Sequence, residues 1–284
     1  MPAKVSTTFF LSRTPTTIDL FVKKTFFVLI LLCLDPVTAC ARELPAYKSG
    51  PSQNTLIELY TSDANAACNP ALTWFSSLRT DNPAIGDRLW RTVFPVAFHS
   101  SYWDAAGGYK DLFSKKPFDD LLLAYKNFWR TTRAYAPTFV VNGTEWSGWS
   151  RGQEIPSPPA NPAGVLSAVV SDFKREEHFT VGYAPGPAIG TGDLVLHAVI
   201  LGFGYHSRPT DGENRGAVLN HDFIALKYLE GAFRFSYGAL TAEMDIPYRA
   251  FIRDKRPYAV VFWVTRSGDP RPLQATGGLL PRPS

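Results

Sequence analysis

A single cysteine at the start of a predicted helix is the residue with the most evident chemistry. Residues 55–70 read as a buried strand, a polar turn and a helix start, and Cys68 lies in the turn. Exposed N–H groups and the dipole at a helix N-terminus stabilise a thiolate. Disulfide exchange also needs a second cysteine that resolves the mixed disulfide. The position three residues earlier holds Asn65, whose amide can neither ionise nor attack, so the sequence predicts that dithiol exchange is absent. Cys68 is then either a single reactive thiol or a half-buried helix residue that acts as a small hydrophobe.

A second group of polar and aromatic residues follows the next predicted strand. His99 ends that strand, and Tyr102, Trp103 and Asp104 lie in the loop behind it. Open α/β sheets place their sites at the carboxyl ends of strands. One histidine and one aspartate are too few ligands for a metal ion, so a metal site here would also need Cys68. The alternative is loop structure in which the two aromatic side chains are packing anchors. We assign no metal ligand and no cofactor from the sequence.

The remaining chemistry-bearing residues have no recognisable motif. The histidines His178, His197, His206 and His221 have no ligand-like spacing, and we interpret them as solvated or core residues. Neither a phosphate-binding loop nor a nucleophile elbow occurs in the sequence. The charged loop 211–215 is expected to use its charges in local pairing, with ligand contact as the alternative.

The first half of the chain alternates short apolar strands with amphipathic helices. The predicted strands are residues 56–60, 93–99 and 137–142, and the predicted helices begin at Asn69 and cover residues 118–133. Helical spacing places Leu72, Phe75 and Leu78 on the inner face of the first helix. The order β-α-β-α-β with short links predicts a parallel strand pair plus an antiparallel return.

The second half has a different pattern. Residues 146–162 are rich in Gly, Ser and Pro and predict a loop, and residues 165–174 are read as a short helix. Alternating apolar and polar residues between turn signals then predict strands at 178–183, 193–205, 218–228, 241–247 and 258–266, which is typical of an antiparallel β-sandwich. We therefore expect an N-terminal extension (42–54), an α/β domain (55–145), a linker with a short helix (146–176), a β-rich domain (177–273) and a tail (274–284).

The N-terminus predicts export. Lys23 and Lys24 precede a short apolar run at 26–34, and small residues at 39–41 resemble a cleavage site, so residues 1–41 form a predicted signal peptide. Processing after Ala41 would leave a periplasmic or secreted protein with one cysteine and no transmembrane span. Lipid attachment at Cys40 is the alternative. A formal charge of +4 without basic runs gives no indication of nucleic-acid binding.

Several motifs in order resemble one family. The chain is similar to the secreted thioredoxin-fold proteins catalogued as domain of unknown function 1223, whose start reads Tyr-Thr-Ser-x-x-Cys-x-x-Cys-Pro-Pro. Matching positions are Tyr60, Thr61, Ser62, Cys68 and Pro70, then Phe98, His99, Tyr102, Trp103 and Asp104, then Tyr135, Pro137, Val140, Val141, Asn142 and Gly143, and finally the 212–216 loop. Asn65 and Asn69 depart from the family pattern, as do Ser101, Ala136 and Thr138.

The resemblance implies a thioredoxin-like domain followed by a β-sandwich-like domain. It also implies that Pro137 is a cis proline facing the Asn65 turn, where Ala136, Pro137 and Thr138 present backbone to an extended peptide. A trans proline that starts an edge strand is the alternative reading. Three functions stay open: a non-redox module that binds an extended peptide or another exported protein, a single-thiol oxidoreductase that uses Cys68, and a metal-handling protein that uses Cys68, His99 and Asp104.

Overall fold

The computed structural model describes residues 46–80, 82–158, 160–172, 177–236, 239–247, 250–251 and 256–281. All of them belong to one compact unit, Glu43–Ser284. The predicted signal peptide (1–41) and the predicted lipid attachment at Cys40 lie outside the described residues. Within the described part of the chain, no helix is both long and apolar enough to cross a membrane.

The described residues form a β-rich fold with three α-helices. The helices are α1 Asn69–Ser77, α2 Asp104–Gly107 and α3 Lys116–Trp129. The strands are β1 Ala46–Lys48, β2 Thr55–Thr61, β3 Val93–His99, β4 Thr138–Val141, β5 Thr144–Glu145, β6 Gly164–Asp172, β7 Glu177–Pro185, β8 Leu194–Gly202, β9 Tyr205–Ser207, β10 Leu219–His221, β11 Ile224–Ala232, β12 Arg234–Ser236, β13 Ala239–Ile246, β14 Tyr258–Arg266 and β15 Asp269–Leu279.

These strands form three sheets. A mixed sheet of eight strands has the order β15-β14-β8-β11-β3-β2-β4-β5, and an antiparallel sheet of five has the order β1-β6-β7-β13-β12. The third sheet is the small pair β9 and β10. Strands β2 and β3 are parallel and β4 returns antiparallel to β2, which confirms the predicted arrangement. Strand β11 runs parallel to β3 and joins strands from both predicted domains in one sheet.

The two faces of the eight-stranded sheet have different partners. Successive side chains of a strand point to opposite faces. Phe262 of β14 contacts Phe179 of the five-stranded sheet, with ring centroids 5.2 Å apart. The next residue, Trp263, contacts Phe98 of β3, which packs on Phe118 of α3. One face is therefore covered by the second sheet, and α3 covers part of the other.

Three expectations about local structure are corrected. The short helix predicted at 165–174 is absent from its described part, because residues 164–172 form β6. Its run of Leu, Ala and Val suits either structure, but alternate side chains are buried and the strand pairs with β7 along most of its length. The tail predicted at 274–284 begins inside β15, because the prolines and glycines of this strand interrupt the alternation of apolar and polar residues that predicts a strand. Helical spacing predicts that Phe128 lies with Leu122 and Tyr125 on the inner face of α3, but Phe128 is 39% exposed.

Candidate functional site

The cysteine turn is closed to thiol chemistry by burial. A short 3-10 turn, Ala66–Cys68, precedes α1, and Cys68 is a free cysteine with no exposed surface. Burial raises the pKa of its thiol to about 11, although Thr61 and Ser62 oppose the shift. The cost of burying a thiolate therefore exceeds the stabilisation expected from the helix start, and Cys68 stays protonated at neutral pH.

Asn65 uses its side chain to close the turn. Its Oδ1 accepts a hydrogen bond from the Ala67 N–H at 3.0 Å, and its Nδ2 donates to the Ala136 carbonyl at 3.1 Å. The Ala136–Pro137 peptide bond is cis, as the resemblance implies. The structure thus brings Asn65, Ala136 and Pro137 together. The neighbouring Thr138 hydroxyl donates a hydrogen bond to the Tyr135 carbonyl. An extended peptide that paired with the Ala136 carbonyl would have to share that oxygen with the Asn65 amide.

The 212–216 loop lies over the same turn. Glu213 accepts a hydrogen bond from the Ala66 N–H at 2.8 Å. Asn214 is buried, donates to the Asp63 carbonyl at 2.8 Å and accepts from Asn69. Gly212 has a φ of 74°, and a Cβ there would lie 2.0 Å from the Gly107 carbonyl oxygen, so only glycine fits. Glu213 and Asn214 thus bond the distant turn at residues 63–69, which differs from the local charge pairing expected for this loop.

His99 has different neighbours from those expected. Its Nδ1 lies 2.7 Å from Asp111 Oδ2 and 3.8 Å from Asp63 Oδ1. Asp104 instead accepts bonds from the Asp111 N–H and the Ser114 hydroxyl, and Trp103 is a half-buried packing residue. The structure therefore groups His99 with Asp63, Asp111 and His221 rather than with Cys68 and Asp104. We call these four residues the Asp-His cluster.

A cleft opens on the side of the eight-stranded sheet that α3 covers only in part. Its volume is about 870 Å³, and we call it the α3 cleft. It is lined by α3, by residues 267–270 in the β14–β15 turn and at the start of β15, and by sheet residues Glu58, His197, Tyr228, Glu230, Trp263 and Thr265. A cleft of this size with a few convergent polar groups is the usual form of a small-molecule site.

A buried carboxyl group lies at the floor of the α3 cleft. Glu58 accepts a hydrogen bond from the Tyr60 hydroxyl at 2.9 Å, and its other oxygen lies 2.6 Å from the Tyr125 hydroxyl. The Tyr125 hydroxyl also lies 3.0 Å from the Pro270 carbonyl. Burial raises the pKa of Glu58 to about 7, although both tyrosines oppose the shift. A protonated Glu58 can donate to Tyr125 while Tyr125 donates to Pro270, so the neutral acid satisfies every group.

A neutral histidine forms the opposite part of the floor. His197 stacks on Trp263 with ring centroids 4.9 Å apart and ring planes 9° apart. Its Nδ1 lies 2.6 Å from the Tyr228 hydroxyl, and its Nε2 lies 2.8 Å from Thr265 Oγ1. Burial lowers the pKa of His197 to about 3. Because the Tyr228 hydroxyl donates to Glu230, we infer that His197 carries its proton on Nδ1 and accepts from Thr265 on Nε2.

Charged side chains of both signs line the α3 cleft: Asp120, Glu230 and Asp269 are acidic, and Arg266 is basic. Asp120 pairs with Lys116, and Asp269 forms a bidentate pair with Arg271. Within the described residues no lysine or arginine pairs with Glu230, whose side chain is 57% exposed. Tyr228 lies beside Glu230, and Phe128, whose ring also contacts the Arg271 guanidinium at 4.7 Å, adds further aromatic surface to the cleft. The cleft can therefore accept an apolar ring together with a positively charged or hydrogen-donating group.

The sequence pattern did not identify most of these residues. Asp63 and Asp111 have no motif, Glu58 lies inside an apolar strand, and the spacing of His197 and His221 predicts only solvated or core residues. Both histidines are buried, and each lies among polar groups. The only sequence signal was the ionisable Glu58 within an otherwise apolar strand.

Comparison with known proteins places the chain in a family. The profile of the family described as "Protein of unknown function (DUF1223)" matches residues 56–264, and the chain belongs to this family. Two solved structures are similar. HBP35 of Porphyromonas gingivalis shares 14% identity over 81% of this chain and 76% of its own, with a TM-score of 0.53. A structural genomics target from Agrobacterium tumefaciens shares 15% identity over 82% of this chain and 96% of its own, with a TM-score of 0.49. The likeness to HBP35 concerns the fold alone. No curated protein matches the chain.

Proposed function

We propose that this chain is an exported, thioredoxin-related protein that has lost dithiol exchange and binds a small ligand in the α3 cleft. The observation that carries the proposal is the cleft itself, where Tyr228, Glu230 and the His197–Trp263 pair converge on one open side of the sheet. The thioredoxin relationship rests on the family motifs and on the cis peptide bond before Pro137.

The loss of redox chemistry is supported by the cysteine turn. Asn65 stands where a nucleophilic cysteine would lie, and Cys68 has no exposed surface. The Ala66 N–H, which a substrate could otherwise use, is bonded to Glu213. These contacts favour a binding protein over a single-thiol oxidoreductase. They also favour the α3 cleft over the Asn65 turn as the place where the ligand binds.

The chemistry of the cleft favours a particular class of ligand. Aromatic side chains line it, and Glu230 is the acidic group at its rim that pairs with no lysine or arginine among the described residues. A ligand with an aromatic ring and an ammonium group could place the ring against Tyr228 and Phe128 and the cation beside Glu230. A partly exposed carboxylate adds a modest preference, together with cation–π attraction from the rings.

Binding can be tested with two probes of matched shape and opposite charge. We expect the processed protein to bind tryptamine about fivefold to tenfold more tightly than 3-indolepropionate in isothermal titration calorimetry. Glu230→Gln should remove that preference, whereas the exposed control Glu154→Gln should keep it. Equal affinities for both probes in the wild-type chain, or no binding of either at millimolar concentration, would contradict the proposal.

Export is tested separately by intact mass. Expressed from the full sequence in a bacterial host, the protein should be recovered outside the cytoplasm with Arg42 as its first residue. A diacylglyceryl mass on Cys40 would support the lipid-anchored alternative instead. An unprocessed chain that stays in the cytoplasm would contradict export.

A further inference from the structure

The Asp-His cluster has the composition of a metal site. We propose that Asp63, His99 and His221, with Asp111 as fourth ligand, bind one transition-metal dication of the zinc class. The cluster is separate from the α3 cleft, and Cys68 is not among its ligands. Asp63 follows β2, His99 ends β3 and His221 ends β10, so the metal would join three segments that are distant in the sequence.

The distances fit a site that a metal ion would contract slightly. One ligand atom from each of Asp63, His99 and His221 lies within 4.8 Å of the others. Asp63 Oδ2 is 3.4 Å from His221 Nε2, and Asp63 Oδ1 is 3.8 Å from His99 Nδ1. Tetrahedral zinc with bonds of about 2.0–2.1 Å keeps its ligand atoms roughly 3.3 Å apart. Asp63, His99 and His221 would therefore need movements of a few tenths of an ångström. Asp111 Oδ2, which is 2.7 Å from His99 Nδ1, would have to give up that hydrogen bond and move away by roughly 0.6 Å to become the fourth ligand.

Both carboxylate oxygens of Asp63 lack a hydrogen-bond partner among the described residues. The side chain is completely buried, and neither oxygen meets a donor within hydrogen-bonding geometry. Water-exposed carboxylates tolerate this easily, but a buried one needs donors or a cation. The contact of 3.4 Å to His221 is too long to serve as a good hydrogen bond. The orphaned oxygens thus point to a ligand that the polypeptide itself does not supply.

The charges of the cluster favour a dication. Two carboxylates and two neutral imidazoles carry a charge of −2, which one dication neutralises. A single imidazolium at His99 would leave a net negative charge in a site without water-exposed surface. Nitrogen and carboxylate donors suit zinc and the neighbouring divalent ions.

Surrounding contacts hold the ligands in place. Asp111 accepts hydrogen bonds from the backbone N–H groups of Asp63 at 2.8 Å and Phe113 at 2.9 Å. The Phe113 ring packs against both imidazoles, at 5.5 Å from His99 and 5.1 Å from His221. The Ser207 hydroxyl lies 3.1 Å from His221 Nε2, the nitrogen nearest Asp63, and would give up this contact when that nitrogen binds the metal. Four protein ligands under an aromatic cover leave no open position, which is typical of a structural rather than a catalytic site.

Metal binding is tested on the processed, tag-free protein after treatment with a chelator and dialysis. After a second dialysis against zinc-containing buffer and removal of the excess, we expect elemental analysis to find one zinc per chain. The Tm should rise by roughly 5–10 °C at free zinc a hundredfold above the dissociation constant. Cobalt should give the visible spectrum of a four-coordinate site without a thiolate charge-transfer band, and Cys68→Ser should leave that spectrum unchanged.

Matched variants locate the site. Asp63→Asn should lose the bound zinc, and without metal it should melt no lower than the wild type because a buried, unpartnered charge is gone. Asp87→Asn and His206→Gln, which change exposed residues, should keep one zinc per chain. The proposal is wrong if the wild-type chain retains no zinc, if Asp63→Asn retains it, or if cobalt shows a thiolate band. The cobalt spectrum of the wild-type chain decides the case even if Asp63→Asn fails to fold.

Discussion

Replacing Glu58 by glutamine should make the stability of the protein less dependent on pH. Glutamine has the shape of the protonated acid. Its amide can donate to the Tyr125 hydroxyl, and its carbonyl can accept from Tyr60, as the neutral Glu58 does. The variant therefore keeps the hydrogen bonds of the neutral form and removes only the ability to ionise.

The expected magnitude follows from the pKa of Glu58. The pKa rises from 4.5 to about 7 in the folded chain because the carboxyl group is buried. Each pKa unit corresponds to about 1.4 kcal/mol, so the shift amounts to roughly 3 kcal/mol. The folded state binds the proton more tightly than the unfolded state. This contribution to stability is therefore fully present below pH 4.5 and is lost as the pH rises to about 7.

His197 acts in the opposite direction over an overlapping range. Its pKa falls from 6.5 to about 3 because the ring is buried. The unfolded state therefore takes up a proton first as the pH falls below 6.5, and the folded state loses stability there. The wild-type curve contains both effects and can look flat between pH 4.5 and 6.5. The difference between Glu58→Gln and wild type isolates the carboxyl group.

The assay is urea unfolding of both proteins at half-unit steps from pH 4.5 to pH 8. We expect the free energy of unfolding of Glu58→Gln, relative to wild type, to rise by about 3 kcal/mol across this range. The exposed control Glu154→Gln should give a flat difference. A flat difference for Glu58→Gln would mean that Glu58 does not change protonation in this range. A difference that falls with pH would mean that folding lowers the pKa of Glu58, which contradicts the prediction.

Three further outcomes are expected. Iodoacetamide at pH 7 should label Cys68 only after denaturation, and rapid labelling of the native protein would contradict the burial of the thiol. In an insulin-reduction assay the protein should show no turnover. Asn214→Ala should lower the free energy of unfolding by about 1–3 kcal/mol in chemical denaturation, because the buried Asp63 carbonyl loses its donor. The control Asn220→Ala, which changes an exposed residue, should alter it by less than about 0.5 kcal/mol. Phe262→Ala should cost about 3–5 kcal/mol by the same measurement, since the ring is fully buried between the two sheets, and a cost under about 1 kcal/mol would contradict that packing.

The sequence predicted the elements whose signals are local. Strands β2 and β3 are short apolar runs, and α1 begins at an Asn-Pro pair with its apolar residues at helical spacing. These features depend on a few neighbouring residues. The cis bond before Pro137 came from the family resemblance, since the residue pair by itself does not determine it.

The candidate sites depend on contacts between distant segments, and therefore escaped the sequence pattern. Glu58 is defined by Tyr125 from α3 and by the Pro270 carbonyl, and neither is adjacent in the chain. His221 looked like an isolated histidine because its neighbours Asp63 and His99 come from segments that are distant in the sequence. The sequence predicts a helix where β6 lies, because an apolar run of this length fits either a helix or a strand.

Two-dimensional NMR with tryptamine shows where on the protein the ligand binds. We expect the largest shift changes on Tyr228, Glu230 and Phe128 and on the indole N–H of Trp263, with saturation at one site. Changes confined to the turn at Asn65 and Pro137, or no saturable change at all, would contradict a ligand site in the α3 cleft.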